Sequence, residues 1–523
     1  MDLKISLQKN IQYTLPFKKT PNTRPANLEK TPQQDSFEMS IGYVNDIHGQ
    51  TNNMMRILSG IKGDLRLSAG DNDIGDEKNK SVHKATTKFL NVAGIKATAL
   101  GNHEFDTKQN DFVQTVKDFD GDVLTANFKK QALSNQSNEE IELQGRADLD
   151  EYLKKYTIID VKGERIGIVG ASPVDMFERA THPDYHKDCH VDSLDETIED
   201  IQDEVDDLKE QGINKIVLLS HLGHKRDRVV AQNTSGIDVI VGGHTHELIK
   251  DIKEGENFFY SKDGEPVIIT EAGRDGKAFG LLNLTFDKNG VVKKAQNNVA
   301  ETSLFYRNMI NQYLFDEILG KPERIGYVKK APMPPSTLIE ENPHANFMCD
   351  AMRYELDTDI AVWNNAGPRN FFHEGVIDSR DIRDIAPFRD GVSVADVSEE
   401  KLVNWFKDSI EITYKTPGYK PGLVAVSGLT YTVDSKAGKL AGMSFVDKEG
   451  KEHVIDIDNP RADKTYKLAT DSFMMSAGAD WGVLATKDEV EHHNECKDYY
   501  TCEYIKRLDR PIEINQTGRI KFI

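Results

Sequence analysis

The chain has 523 residues, 38% hydrophobic and 29% charged, with a formal net charge of −20. This is the composition of a globular protein long enough for several domains of ~100–200 residues each. The acidic excess excludes a broad nucleic-acid or anionic-membrane surface, which would need basic patches, and leaves room for a small anionic substrate gathered by local cations.

Residues 1–36 are polar and rich in Pro, Thr, Lys and Gln, and read as a disordered tail. They hold no apolar stretch of signal-peptide length, and no later segment reaches the ~18 apolar residues of a membrane helix. The expected location is therefore cytoplasmic. From residue 39, short apolar runs recur: "MSIGYVN", "LRLSAG", "IKATALG", "DVLTAN", "RIGIVGA", "KIVLLSH", "IDVIVGG" and "PVIITEAG". Runs this short, bounded by Gly and polar residues, read as buried strands. Between two of them, Leu194, Ile198, Ile201, Val205 and Leu208 step by four and three. That spacing predicts an amphipathic helix with an acidic solvent face, ending near Gly212. Alternating strands and helices imply a layered α/β architecture.

Near residue 300 the pattern changes. "ETSLFYRNMINQYLFDEILG" reads as one helix, followed by a stretch rich in Pro and Lys. Beyond it, helices ("NFMCDAMRYEL", "EEKLVNWFKDSIEIT") mix with strands ("DIAVWNNAG", "LTYTVDS", "TYKLATD") in a separate α+β domain. The expected division is a tail at 1–36, a first domain at 37–300, a linker helix at 301–330 and a second domain at 331–523. Cys189, Cys349, Cys496 and Cys502 include no CxxC pair and make no disulfide framework in a chain of this length.

Five apolar runs of the first domain end in residues able to ligate a divalent metal. They supply Asp46 and His48, then Asp71, then Asn102 and His103, then His221, then His244 and His246. In open α/β sheets such groups collect outside the carboxyl ends of the strands. Carboxylate oxygen can bridge two cations, and imidazole and amide complete the shells without excess charge. Such a pair of ions suits phosphoester hydrolysis. A further DxH, Asp188 to His190, lies with His182 and His186 in "THPDYHKDCH", which reads as a surface loop.

The motifs "NDIHG", "SAGD", "GNHEFD", "LLSHLG" and "GGHTHE" resemble those of the calcineurin-like metallophosphoesterases. "GNHEFD" with a C-terminal domain of this length is similar to the 5′-nucleotidase / UDP-sugar hydrolase family in particular. The resemblance implies a four-layer α/β/β/α metallophosphoesterase domain joined by a helix to a C-terminal α+β substrate-binding domain. It implies that Asp46, His48 and His246 hold one metal, that Asn102, His221 and His244 hold the other, and that Asp71 bridges them. The ions are two divalent cations from among zinc, manganese, cobalt, iron and magnesium. His103 would stand beside the scissile phosphoryl group, with Asp106 orienting it, while Glu104 reads as structural.

In the second domain, "NNAGPRNFF" resembles a substrate-binding segment and implies Asn365 and Arg369 as contacts, with Pro368 where a Gly is usual. "APFRDG" implies Phe388 as a first base-stacking ring, with Arg389 and Asp390 replacing the usual glycines. "TDSFMMSAGADWG" implies Phe473 as the second ring and Asp480 as a ribose-binding carboxylate. The expected activity is a 5′-nucleotidase that releases phosphate by in-line attack of a metal-bridging hydroxide. The alternatives are a nucleotide pyrophosphatase (UDP-sugar hydrolase), a 2′,3′-cyclic-nucleotide phosphodiesterase and, more remotely, a non-catalytic binding protein of the same fold. The partner is a small nucleotide, with no nucleic-acid polymer and no membrane span.

Overall fold

The structure, a computed structural model, describes residues 26–27, 36–75, 77–130, 148–179, 186–415, 422–477 and 482–523. In the first half the strands are Phe37–Val44 (β1), Leu65–Ser68 (β2), Ala97–Ala99 (β3), Asp122–Leu124 (β4), Glu164–Ala171 (β5), Ile216–Ser220 (β6), Val239–Gly242 (β7), Pro266–Thr270 (β8), Ala278–Phe286 (β9) and Val292–Glu301 (β10). β1 to β4 run parallel in one sheet, extended on the β1 side by the antiparallel pair β9–β10. β5 to β8 run parallel in a second sheet, in the order β8, β7, β6, β5.

The two sheets pack face to face. Ile41, Tyr43, Leu65, Leu67 and Ala97 from one meet Ile168, Val217, Leu219, Val239 and Val241 from the other. Burying a Val, Leu or Ile side chain is worth about 1.5–3 kcal/mol, so this interleaf holds the strand ends in fixed relation. The sheets approach closely at Gly170, where a Cβ would lie 2.2 Å from the Leu124 carbonyl carbon. Helices Thr51–Ile57 (α1) and Lys80–Ala93 (α2) cover the outer face of the first sheet through Met54, Ile57, Phe89 and Leu90. Helices Leu194–Glu210 (α3) and His224–Asn233 (α4) cover the second through Ile201, Val205, Leu208 and Val230. The four layers follow directly. α3 starts where Ser193 and Glu196 form a reciprocal cap, and Gly212 follows its end at φ +79°.

Three local expectations change. The stretch 301–320 is not one helix: β10 runs to Glu301, and the helix is Met309–Leu319 (α5), docked by the fully buried Phe315 against the α1–α2 layer. Of the expected tail, residues 1–25 and 28–35 lie outside the described residues, and Ala26–Asn27 pair with β10. "THPDYHKDCH" is not a plain surface loop. His182 lies outside the described residues, but His186 and Asp188 are buried, His186 against the Phe105 ring and its carbonyl oxygen at 2.7 Å.

Beyond α5 a five-stranded sheet in the order Val424–Ser427, Ile360–Asn364, Thr465–Asp471, Gly391–Ser398 and Glu491–Cys496 carries the second core. Helices Pro343–Glu355 and Glu399–Lys415 pack on it, close to where their periodicity predicts them. Among the described residues no helix is long and apolar enough to cross a membrane.

Candidate metal centre

The carboxyl ends of β1, β2, β3, β6 and β7 open onto one rim, and the ligand-type residues collect there. Asp46, His48 and His246 each offer a donor atom within 4.8 Å of the others, as do Asp71, His221 and His244. Asp46 Oδ1 lies 3.2 Å from His246 Nε2 and 3.8 Å from His221 Nε2. Asp71 Oδ2 lies 3.1 Å from His221 Nε2 and 3.6 Å from His48 Nε2. Asp46, His48, Asp71, His244 and His246 all have positive φ, between 47° and 75°. Non-glycine residues rarely hold this conformation without a surrounding structure that enforces it, and such backbone clusters at functional sites.

Three donor atoms argue most directly for a cation. His48 Nε2, His221 Nε2 and Asn102 Oδ1 are buried without an aligned hydrogen-bond partner, although Asp71 Oδ2 stands 3.1 Å from His221 Nε2. Each ring is aimed by its other nitrogen: His221 Nδ1 meets the Ala69 carbonyl at 2.5 Å, and His48 Nδ1 meets Asp275 Oδ1 at 3.1 Å. A buried unpaired acceptor is costly unless an ion completes it, so the donor set fits divalent cations. Burial lowers the His246 pKa to about 4, against the pull of the Asp46 carboxylate.

His103 also offers a donor atom within 4.8 Å of His48 and Asp71, but its Nδ1 is committed to a carboxylate of its own. Its Nδ1 is 2.8 Å from Asp106 Oδ2, and the same oxygen accepts the Gly75 N–H. Burial opposes the charge on His103, but Asp106 and Asp71 outweigh it and raise its pKa. Glu104 accepts three backbone N–H groups, from Asp71, Asn72 and Gly101, and so ties the loop after β2 to the loop after β3. Burial, then Asp71, lifts its pKa to about 7.

The second domain reaches this rim with two of its predicted residues. The Phe388 ring stands edge-on to His103 at 5.7 Å, and the Arg369 guanidinium covers Phe388 at 5.2 Å. Arg369 Nε is buried without a partner. The other two described residues lie elsewhere. Asn365 spends its amide hydrogens on the Leu338 and Glu340 carbonyls, and Phe473 packs part-buried against the second-domain core. Asp480 lies outside the described residues.

Sequence reasoning missed Asp275, Asn45 and Glu271. Asn45 clasps Asp46 Oδ2 and the Gly273 carbonyl, each at 2.7 Å, and Glu271 accepts from Thr245 and Glu247 in the "GHTHE" loop. The available signal was "TEAGRDG", a polar run at the carboxyl end of β8 like those after β1 and β2.

Residues 39–248 match the calcineurin-like phosphoesterase family and residues 324–486 the 5′-nucleotidase C-terminal domain. The chain is 24% identical to a trifunctional nucleotide phosphoesterase protein, YfkN, of Bacillus subtilis, covering 97% of this chain and 36% of that one. It thus spans about a third of that relative's length. It is 26% identical to a 5′-nucleotidase of Bos taurus over 88% of this chain and 82% of the relative. The fold matches a 5′-nucleotidase precursor from Thermus thermophilus with a TM-score of 0.69 at 22% identity, over 93% of this chain and 99% of that one. With both domains present in this order, the chain belongs to the 5′-nucleotidase family of calcineurin-like phosphoesterases.

Proposed function

We propose that this protein is a two-metal 5′-nucleotidase that releases phosphate from a nucleoside monophosphate. The observation that carries the reading is the set of three buried ligand atoms without an aligned hydrogen-bond partner, on His48, His221 and Asn102, next to the His103–Asp106 pair. Asp46, His48 and His246 would hold one divalent ion, Asn102, His221 and His244 the other, and Asp71 both. When bound, such ions supply an activated water and neutralise charge on the phosphoryl oxygens.

The chain's own residues do the rest. Asp106 fixes Nδ1 of His103, which leaves Nε2 to face the phosphoryl group, and the Asp106 and Asp71 carboxylates, working against burial, favour the protonated ring. Arg369 offers its unpartnered Nε–H to a phosphate oxygen. Phe388, between Arg369 and His103, gives the base an aromatic face and keeps water from the reacting group. In this reading the first domain (37–300) carries the metals, the linker helix lies in 301–330, and the second domain (331–523) supplies Arg369 and Phe388. The family resemblance implies nucleoside contacts from Asn365, Phe473 and Asp480 as well, but Asn365 and Phe473 lie away from this rim and Asp480 lies outside the described residues.

The test is phosphate release by protein reconstituted in turn with manganese, zinc, cobalt, iron and magnesium. The substrates are AMP, UMP, a UDP-sugar, a 2′,3′-cyclic nucleotide and p-nitrophenyl phosphate. A lead for nucleoside monophosphates supports the proposal. Preference for the UDP-sugar or the cyclic nucleotide would replace it, and Pro368, Arg389 and Asp390 would then be the departures to examine. Cytoplasmic location is tested by fractionating producing cells; activity outside the cytoplasm refutes it.

A further inference from the structure

One buried carboxylate is shared by the two halves of the site, and the established family membership does not account for it. Asp275 lies in the turn after β8, at φ +58°, fully buried. Its backbone is pinned from both sides: its N–H donates to the Asp46 carbonyl at 2.5 Å, and its carbonyl accepts from Asn53 Nδ2 at 2.8 Å. One carboxylate oxygen, Oδ1, sits 3.1 Å from His48 Nδ1 and 3.9 Å from Arg369 Nη1. The other, Oδ2, takes Lys277 Nζ at 3.2 Å and Arg274 Nε at 3.4 Å. Lys277 in turn donates to the Arg369 carbonyl at 3.0 Å.

We infer that Asp275 is a positioning residue that sets the metal-facing nitrogen of His48 and the phosphate-facing guanidinium of Arg369 at once. The inference rests on the site assignment proposed above.

The chemistry runs in two directions from the one group. Accepting the His48 Nδ1–H fixes the tautomer and leaves Nε2, the atom without a partner, as the free donor. Holding Arg369 by a single oxygen at 3.9 Å steers the guanidinium over the rim without using up its Nε–H, which also has no partner. A closer, bidentate pairing would have consumed the donors a phosphate needs. Lys277 and Arg274 meet the carboxylate on its far oxygen and balance its charge there, which leaves Oδ1 to His48 and Arg369. Metal affinity and phosphate affinity are thereby coupled through one side chain from each half of the chain.

The left-handed backbone makes the test clean. Asn and Gly both accept φ near +58° without strain, so Asp275→Asn and Asp275→Gly change the carboxylate and not the turn. Asn keeps an oxygen for the His48 Nδ1–H and loses the charge that steers Arg369; Gly loses both. The measurements are manganese affinity by calorimetry, and KM and kcat for AMP with saturating manganese. Asp275→Asn is expected to keep manganese affinity within a few-fold and to raise KM by about tenfold, with kcat little changed. Asp275→Gly is expected to weaken manganese binding by about 10–100-fold. Arg369→Ala combined with Asp275→Asn should raise KM no further than Arg369→Ala alone, because both act on one contact. Unchanged manganese affinity in Asp275→Gly, or KM effects that simply multiply in the double variant, overturns the inference. Manganese affinity insensitive to His48→Ala would instead refute the site assignment, and the inference with it.

Discussion

At the residue scale the loop after β3 divides its labour among neighbours. Asn102 points an unpartnered oxygen into the donor set, His103 pairs with Asp106, and Glu104 turns away to hold backbone. Two substitutions separate these roles. His103→Ala should lower kcat on AMP by about 10²–10⁴-fold, the range for a positioned proton-transfer group. Metal content by elemental analysis should not change; a parallel loss of metal would make His103 a ligand instead. Glu104→Gln should act the other way round. A neutral amide offers one acceptor oxygen to three N–H groups, and an unmet buried donor costs about 1–3 kcal/mol. The expected result is a lower melting temperature and weaker metal binding, since the Asp71 loop is no longer clamped. An unchanged melting curve would show that water replaces the lost acceptor.

At the element scale the second domain caps a helix of the first. The Asp384 carboxylate accepts the Asn52 N–H at 3.1 Å and the Thr51 hydroxyl at 3.3 Å, at the start of α1, three residues after His48. The Asp384 carbonyl accepts from Gln50 Nε2, and Asn79 reaches the Pro387 carbonyl at 2.7 Å. The loop holding Phe388 is thus bolted to the elements that follow β1 and precede α2. Burial raises the Asp384 pKa to about 6, against the pull of Arg383. An acid raised in the fold binds its proton more tightly there than in the unfolded chain. Between pH ~4 and ~6 stability therefore falls as pH rises, and above pH ~6 the full penalty is present. Asp384→Asn keeps an acceptor and cannot ionise. Its stability relative to wild type should rise by up to about 3 kcal/mol between pH ~4 and pH ~7. Urea unfolding at both pH values measures this, and a difference that does not vary with pH would sink it. Gly170→Ala tests the interleaf of the two sheets. Its Cβ would strike the Leu124 backbone, and overpacking of about 1–3 kcal/mol or more should follow in thermal unfolding.

At the scale of the whole molecule, the centre draws on five strand ends of two sheets and receives Arg369 and Phe388 from the second domain. Ions bound there would tie both sheets together. Chelation should therefore lower the melting temperature as well as abolish turnover, by the linkage between ligand binding and folding. At a metal concentration about 100-fold above Kd that linkage is worth ~2.7 kcal/mol. Calorimetry with and without a chelator, followed by manganese, is the measurement; a melting temperature indifferent to metal would place any bound ions outside this rim.

Much of this could be read from the sequence because it is local. Eight apolar runs of the first domain are strands in the structure, since a short run between glycines can bury both faces only in a covered parallel sheet. The ligand-type residues were legible because each directly follows such a run, and strand polarity alone carries them to one rim. The hairpin β9–β10 was missed although Asn289–Gly290 marks its turn and Leu282, Leu284 and Phe286 alternate inward. What only the tertiary structure decided are pairings between distant segments. Asp275 meets His48 across 227 residues, Asp384 meets Asn52 across 332, and His186 closes on Phe105 across 81. No periodicity encodes such contacts. They arise where two cores, each satisfied by its own apolar pattern, bring their polar strand ends into one volume, and the buried charges must then find partners there.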